Sequence, residues 1–449
     1  MKRLAILIAL CVLTAFAPVL RAQGQNSGVT SDSILATHIR QRGVRLTEGN
    51  RLWFFDNGHD KFVDLFDEVR RAQSFIHLEY FNFRNDSIAG LLFQLLAEKA
   101  RQGVEVRALY DSFGNSSNNR PISRQMHDSI RSLGIQLVKF DPIRFPWFNH
   151  IIPRDHRKIV VIDGRVAYTG GMNVADYYVE GIKGIGEWHD LHMHIEGPAV
   201  DDLHHIFATI WQKATGEVIE GVKYFPQEFG VKIYRTDGQN GPSGRSGPDQ
   251  PTRNPKFYLP LQQHPTAAAK LAVVDRAART STDAIRDLYA TMLDAAQHSV
   301  KLVNPYFVPT HRVRSALKRA VDRGVDVQIL ISAKGDIPMT PETSHYVGKK
   351  LMKRGARVFL FEGGFHHTKM MIVDDQFCTV GSANLDARSL RCDYEVNTLI
   401  LSKPHTRQLV ELFEDQKRSA VEMQRDFWKS QSAWKRFVGW LGNLLTPVL

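Results

Sequence analysis

The sequence predicts an α/β protein made of two tandem copies of one domain, each a mainly parallel sheet covered by helices. Two observations predict it. The first is an internal repeat: residues 155–173 read DHRKIVVIDGRVAYTGGMN and residues 366–384 read HHTKMMIVDDQFCTVGSAN. His156 matches His367, Lys158 matches Lys369, Asp163 matches Asp374 and Asn173 matches Asn384, all without a gap. The second is that each block follows the same strand, helix, strand unit, and such crossovers imply parallel pairing with helices on the sheet.

Composition bounds the rest. A length of 449 residues with 43% hydrophobic side chains is ample for two or three domains and excludes collagen, wholesale disorder and disulfide-stapled miniproteins. A net charge of +11 favours an anionic partner: nucleic acid, a membrane surface or a phosphorylated substrate.

Taken in chain order, residues 1–22 read as an export signal or an N-terminal anchor. Lys2 and Arg3 precede a charge-free run from Leu4 to Leu20, and Ala22 offers a small residue for cleavage. Either reading places the remaining chain across the cytoplasmic membrane of a bacterium, periplasmic or membrane-associated. Cleavage would also remove Lys2, Arg3 and Arg21, leaving a charge of about +8.

The first domain is expected over 30–236. Within it, Ser74 to Phe83 is a strand with alternating Ile76, Leu78 and Tyr80, followed by helical spacing over 88–101. Gly103 stops that helix before the strand at 104–110. A Gly- and Pro-rich linker is expected over 237–256, and the second domain over 257–420. There the unit recurs as a strand at 300–308, a helix at 313–323, Gly324 and a strand at 325–332. Of the three cysteines, Cys378 lies in an apolar run and reads as a buried free thiol rather than a partner of Cys392. Residues 421–449 form a basic amphipathic helix. Its face of Trp434, Phe437, Val438, Leu441, Leu444, Leu445 and Val448 suits equally a docked core helix and a membrane interface.

The repeated block carries the chemistry. Positions i and i+2 of a strand share a face, so His156 projects with Lys158 and His367 with Lys369. Each pair heads a continuous apolar run, where ionisable groups are unfavourable unless an anion meets them. One match to His-x-Lys-x4-Asp is expected by chance about 0.05 times in such a chain; two at a constant offset are not chance. Two imidazoles facing one phosphorus permit double displacement, one attacking and the other protonating the leaving alcohol. Lys158, Lys369, Asn173, Asn384 and Ser382 are the expected phosphoryl holders. Asp190 and Glu395, in the similar strings Asp190-x-His192 and Glu395-x-Asn397, are the expected orienters of the imidazoles. Asp163 and Asp374 belong to the catalytic motif, although the turn-forming residues Gly164 and Asp375 after them also allow a structural role. Neither a metal nor a cofactor is expected.

With these residues the sequence resembles the phospholipase D superfamily, whose signature is the paired His-x-Lys-x4-Asp motif. Within it the strings HLEYFNFRND, NPYFVPT and HTKMMIVDDQFCTVGSANLDARS are most similar to bacterial cardiolipin synthases. The resemblance spans about 45–420. It implies two tandem phospholipase D-like α/β/α sandwich domains with one shared active site at their interface, and no metal. It also implies transfer of a phosphatidyl group between two phosphatidylglycerol molecules, giving cardiolipin and glycerol, with His156 favoured as nucleophile. Glu79 corresponds to an acidic residue of these synthases and is assigned to substrate positioning; its second-half counterpart is Pro305. The expected partners are anionic phospholipid and the membrane surface rather than nucleic acid, and two fused halves suit a monomer. Phe145 to Phe148 is a candidate acyl-chain entrance. The alternatives are a hydrolytic phospholipase D and a phosphodiesterase or nuclease.

Overall fold

The computed structural model describes residues 31–142, 153–230 and 267–445, residue 279 excepted. The segment expected as an export signal or anchor, the expected linker, the Phe145–Phe148 stretch and the last four residues lie outside these.

The first half begins with α1 (Ser31–Gln41), β1 (Leu46–Phe55), α2 (Gly58–Arg71), β2 (Phe75–Tyr80), α3 (Ser87–Arg101) and β3 (Glu105–Asp111). It continues through α4 (Ser112–Ser117), α5 (Arg124–Ser132), β4 (Gln136–Phe140), β5 (Lys158–Ile162) and β6 (Val166–Gly170). It closes with α6 (Tyr177–Glu180), β7 (Trp188–His189), β8 (His192–Glu196) and α7 (Ala199–Thr215). The second half opens with β9 (Ala269–Arg276), α8 (Ala284–Ala295), β10 (Ser299–Val303), α9 (His311–Asp322) and β11 (Asp326–Ser332). Then come α10 (Thr340–Met352), β12 (Arg357–Phe361), β13 (Phe365–His366), β14 (Met370–Val373) and β15 (Phe377–Gly381). The chain ends with α11 (Ala387–Arg391), β16 (Glu395–Leu401), α12 (Lys403–Arg418), β17 (Ala420–Glu422), α13 (Phe427–Ser430) and α14 (Ala433–Leu445).

The strands order as β17-β12-β11-β10-β14-β15-β16-β9-β1-β8-β6-β5-β2-β3-β4. Read inward from either side, β12-β11-β10-β14-β15-β16-β9 and β4-β3-β2-β5-β6-β8-β1 are the same arrangement, so the repeat in sequence is a repeat in topology. The halves meet where β1 pairs antiparallel with β9, Leu46 opposite Ala272.

The expectation of a mainly parallel sheet is corrected. Among the described strands of this large sheet, β2–β3, β3–β4, β10–β11 and β11–β12 are parallel, and its other ladders are antiparallel. The reason is local: parallel neighbours need a helical crossover, whereas the motif strand β5 turns straight back into β6. The crossover helices form as their spacing predicts. In α3, Ile88, Leu92 and Leu96 fall on one buried face, and the Asp86 side chain caps the first turn through the Ala89 amide.

One face of the sheet carries separate cores for the two halves, under α2 and α3 and under α8, α9 and α10. The other face carries a core that runs across both, from Leu203 of α7 to Leu409 and Phe413 of α12. The expected first domain, 30–236, lends its opening helix to the other core. Leu35 and Ile39 of α1 bury among Ile285, Leu288 and Tyr289 of α8.

Candidate active site

Each motif block heads a central strand, β5 or β14, at the point where main chain from the opposite half crosses it. The His156 amide donates to the Tyr394 carbonyl at 3.0 Å, and the His367 amide to the His189 carbonyl at 2.6 Å. Around these contacts β7 pairs with β13, and Asp155 forms a bridge with Tyr394. Both histidines are thereby held by the half they do not belong to.

Their carboxylate partners cross over in the same way. His156 Nδ1 meets Glu395 at 3.0 and 3.2 Å, and His367 Nδ1 meets Asp190 Oδ2 at 2.6 Å. The two carboxylates are equivalent in register. Gly170 pairs with His192 and Gly381 with Asn397, which places Asp190 and Glu395 two residues before each partner. The strands around them differ to fit. Gly171 is required because a Cβ there would collide with the Asp190 carboxylate. At the equivalent position, Ser382 donates to Glu395 at 2.5 Å. Ser382, expected on the phosphoryl group, is fully buried beneath the orienting carboxylate instead.

Burial sets the proton affinities, and the neighbours modulate it. Burial pushes both carboxyls up, but their partners more than offset it. The hydrogen-bonded His156, with Lys158, holds Glu395 down at about 2, and Lys369, with His367, holds Asp190 below the usual carboxylate range. Desolvation lowers both imidazoles, His367 to about 4, with Lys369 pressing both down further. Lys158 is lowered to about 7 and Lys369 to about 8, again mainly by burial. Lys369 also acts on Lys158, and Glu395 on Lys369, so groups from both halves form one electrostatic unit. These are cations stripped of water without a full counter-charge, the state that an anionic ligand relieves.

The rings differ in surroundings. Lys369 Nζ lies 2.7 and 3.1 Å from the two ring nitrogens of His367, which is walled by Trp188, Phe365 and Tyr306 with centroids 5.5 to 6.1 Å away. His156 meets the edge of Phe81 at 5.0 Å. Asn173 and Asn384 are nearly buried, each with an unpaired side-chain oxygen. The aromatic wall was missed in the sequence because nothing local ties Trp188, Tyr306 and Phe365 together.

The motif aspartates are far from this chemistry. Five residues of extended strand separate Lys158 from Asp163, roughly 16 Å. Asp163 accepts from the amides of Gln73, Ser74 and Phe75 at 2.8 to 2.9 Å, and Asp374 from those of Gln297, His298 and Ser299 at 2.7 to 2.9 Å. They brace the entries to β2 and β10, so the catalytic assignment of Asp163 and Asp374 is corrected to a structural one.

Glu79 is also displaced from its expected role. It lies opposite Ile159, on the sheet face away from Lys158, and is fully buried with Arg157 Nη1 at 3.5 Å. Glu79 and Asp155 form a pair of buried carboxyls, both raised by desolvation, Asp155 further by Glu79. No surface of Glu79 is open to a substrate. Among the described residues, no group of three or more His, Cys, Asp or Glu side chains is arranged for a metal. Cys378 and Cys392 are free thiols.

Comparison with known proteins adds the family. A model described as "Cardiolipin synthase, PLD-like domain" matches residues 65–211 and 289–417, one copy in each half. The chain belongs to the cardiolipin synthase family. A cardiolipin synthase of Geobacillus sp. (strain WCH70) is 32% identical over 417 residues, covering 92% of this chain and 75% of that one. Cardiolipin synthase 1 of Staphylococcus aureus (strain COL) is 30% identical, covering 90% and 75%. A solved phosphatidylserine synthase from Haemophilus influenzae Rd KW20 shares the fold with a TM-score of 0.66 at 13% identity, over 92% of this chain and 99% of that one. The family and the duplicated domain make this chain a phosphatidyltransferase of the phospholipase D superfamily.

These matches also correct the expected location. The relatives named here are bacterial cardiolipin synthases, and nothing in these matches supports an exported, periplasmic protein. The segment behind that expectation, residues 1–22, lies outside the described residues. Among the described residues, no helix is long and apolar enough to cross a membrane.

Proposed function

We propose that this enzyme makes cardiolipin and glycerol from two molecules of phosphatidylglycerol through a phosphohistidine intermediate. The observation that carries this reading is the pair of histidines, each oriented by a carboxylate of the opposite half, beside two desolvated lysines. A phosphodiester bound there meets Lys158 and Lys369 as counter-charges, with Asn173 and Asn384 as further holders.

His156 is the nucleophile in this reading, because Lys369 engages both ring nitrogens of His367 whereas Glu395 meets His156 through Nδ1. His156 attacks phosphorus, a P–N bond forms, and the bond from phosphorus to the glycerol headgroup oxygen breaks. His367 protonates that oxygen and glycerol leaves. His367 then takes the proton from the terminal hydroxyl of a second phosphatidylglycerol, whose oxygen attacks phosphorus and frees His156. Burial keeps both imidazoles neutral in the empty site, as a nucleophile needs; the bound anion raises His367 so that it can act as an acid.

The test is incubation of the full chain with labelled phosphatidylglycerol in vesicles. Cardiolipin and glycerol should appear in equal amounts, and acid-quenched enzyme should carry label on His156. Phosphatidic acid as the sole product would replace transfer by hydrolysis, and label on His367 would reverse the two roles.

A further inference from the structure

The last helix docks by only the edge of the face its sequence offers, with two glycines beside it. Val438, Gly439 and Gly442 of α14 face α10, and the two glycines lie so close to Glu342 and Thr343 that a Cβ on either would collide. The aromatic side therefore turns outward. Trp434 is 70% exposed, Phe437 and Trp440 each 47%, and Leu444 60%. The three rings run side by side, with centroids 5.9 and 6.0 Å apart, as a continuous apolar ridge.

Cations crowd its flank. The charges acting on Lys349 of α10 are Lys353, Lys350 and Arg436 of α14, all positive, and Arg314 acts on Lys350 in the same way. Lys435 is exposed beside Arg436. A ridge of Trp and Phe flanked by a basic cluster is complementary to anionic lipid headgroups above an acyl layer. It is a poor contact for a second copy, since a twofold pairing would bring the two basic clusters together.

A short segment also links the ridge to the site. Tyr306, in the wall beside His367, bonds through its hydroxyl to Asp336 at 2.8 Å. The next residue, Ile337, is 49% exposed, and Met339 is 38% exposed immediately before α10, whose first turn carries α14. Exposed apolar side chains thus stand on the segment that runs from the partner of Tyr306 to the helix on which α14 docks.

We propose that the outer face of α14, with Ile337, Met339 and the basic edge of α10, docks on an anionic phospholipid bilayer and holds the His156–His367 site against it. The aromatic side chains enter the interfacial layer while Lys349, Lys350, Lys353, Lys435 and Arg436 remain among the headgroups. The surface is a property of α10 and α14, and it stands whichever phospholipid is the donor.

The test uses the full chain with vesicles of equal phosphatidylglycerol and phosphatidylcholine, part of the latter brominated in its acyl chains. Tryptophan emission should be quenched, and a Trp434→Ser/Trp440→Ser variant should lose the larger part of that quenching. Reversing charge with Lys349→Glu, Lys350→Glu and Arg436→Glu should raise the lipid concentration for half-quenching about tenfold. Vesicles of phosphatidylcholine alone should quench the wild type less. In both variants turnover of a soluble short-chain phosphatidylglycerol should match wild type while turnover of vesicles falls. Failure of transfer in every form would count against the proposed reaction and leave the quenching result intact. Quenching that is equal in wild type and the tryptophan variant, or indifferent to the charge reversal, overturns the docking surface. So does a dimer that becomes monomeric in the tryptophan variant, which would make the ridge a contact between copies.

Discussion

His367 is buried and His156 half-buried, and their carboxylate partners act mainly to hold Nδ1 and fix each ring. The lysines set the upper pH limit. Lys158 titrates at about 7 and Lys369 at about 8 in the empty site, and each loses its positive charge as pH rises through that value. Because kcat/KM reports the free enzyme, it is expected to fall from about pH 7 upward as the phosphate-holding charge disappears. At the acid end it should fall as the nucleophile His156 gains a proton, below the ordinary imidazole range because burial lowers it. A kcat/KM profile measured on soluble short-chain substrate checks both limbs; a plateau that continued to pH 10 would rule out catalysis by charged Lys158 and Lys369.

At the level of elements, the braces of Asp163 and Asp374 explain why the motif ends in aspartate. Both residues sit in the left-handed region, with φ of 54° and 53°, and each gathers three amides at the start of a neighbouring strand. Asp163→Ala is expected to lower stability by roughly 2–3 kcal/mol, through lost amide bonds and a poorer fit to positive φ. Asp163→Asn should be milder, since Asn keeps one acceptor and tolerates that conformation. Thermal unfolding gives the stability, and kcat at a temperature where both variants are folded should stay within about threefold of wild type, as for a site remote from the chemistry. A collapse of kcat in folded Asp163→Asn would return the aspartate to the catalytic group. The elements themselves were largely legible in the sequence. The helix expected over 88–101 is Ser87–Arg101, and the strand expected at 325–332 is Asp326–Ser332. Periodicity and caps act over one or two turns, and a single sequence carries them. The face on which α14 docks was not legible, because Gly439 and Gly442 dominate it by permitting close approach rather than by being apolar.

For the molecule as a whole, the crossing of partners between halves is the organising fact. Glu395→Gln and Asp190→Asn lie in opposite halves from the rings they hold, and each should slow turnover about 100-fold or more. The steps affected should differ: Glu395→Gln should slow labelling of His156, and Asp190→Asn the release of glycerol and the transfer that follows. Rapid-quench measurement of phosphohistidine against glycerol separates these, and the reverse pattern would mean that each carboxylate serves the histidine of its own half. The same crossing explains why the halves cannot be functionally independent, since neither contains a complete His–carboxylate dyad.

The sequence by itself determined the duplication, the two His-Lys pairs and the family, because spacing within a strand and a constant offset are local properties of the chain. It determined that Asp190 and Glu395 are equivalent, through their similar strings. Only the tertiary structure decided that Glu395 serves His156 and Asp190 serves His367, that Ser382 lies under a carboxylate and that Glu79 faces away from the lysines. Those relations join residues that are remote in the chain or depend on which sheet face a strand presents, and burial fixes them only once both halves are packed together.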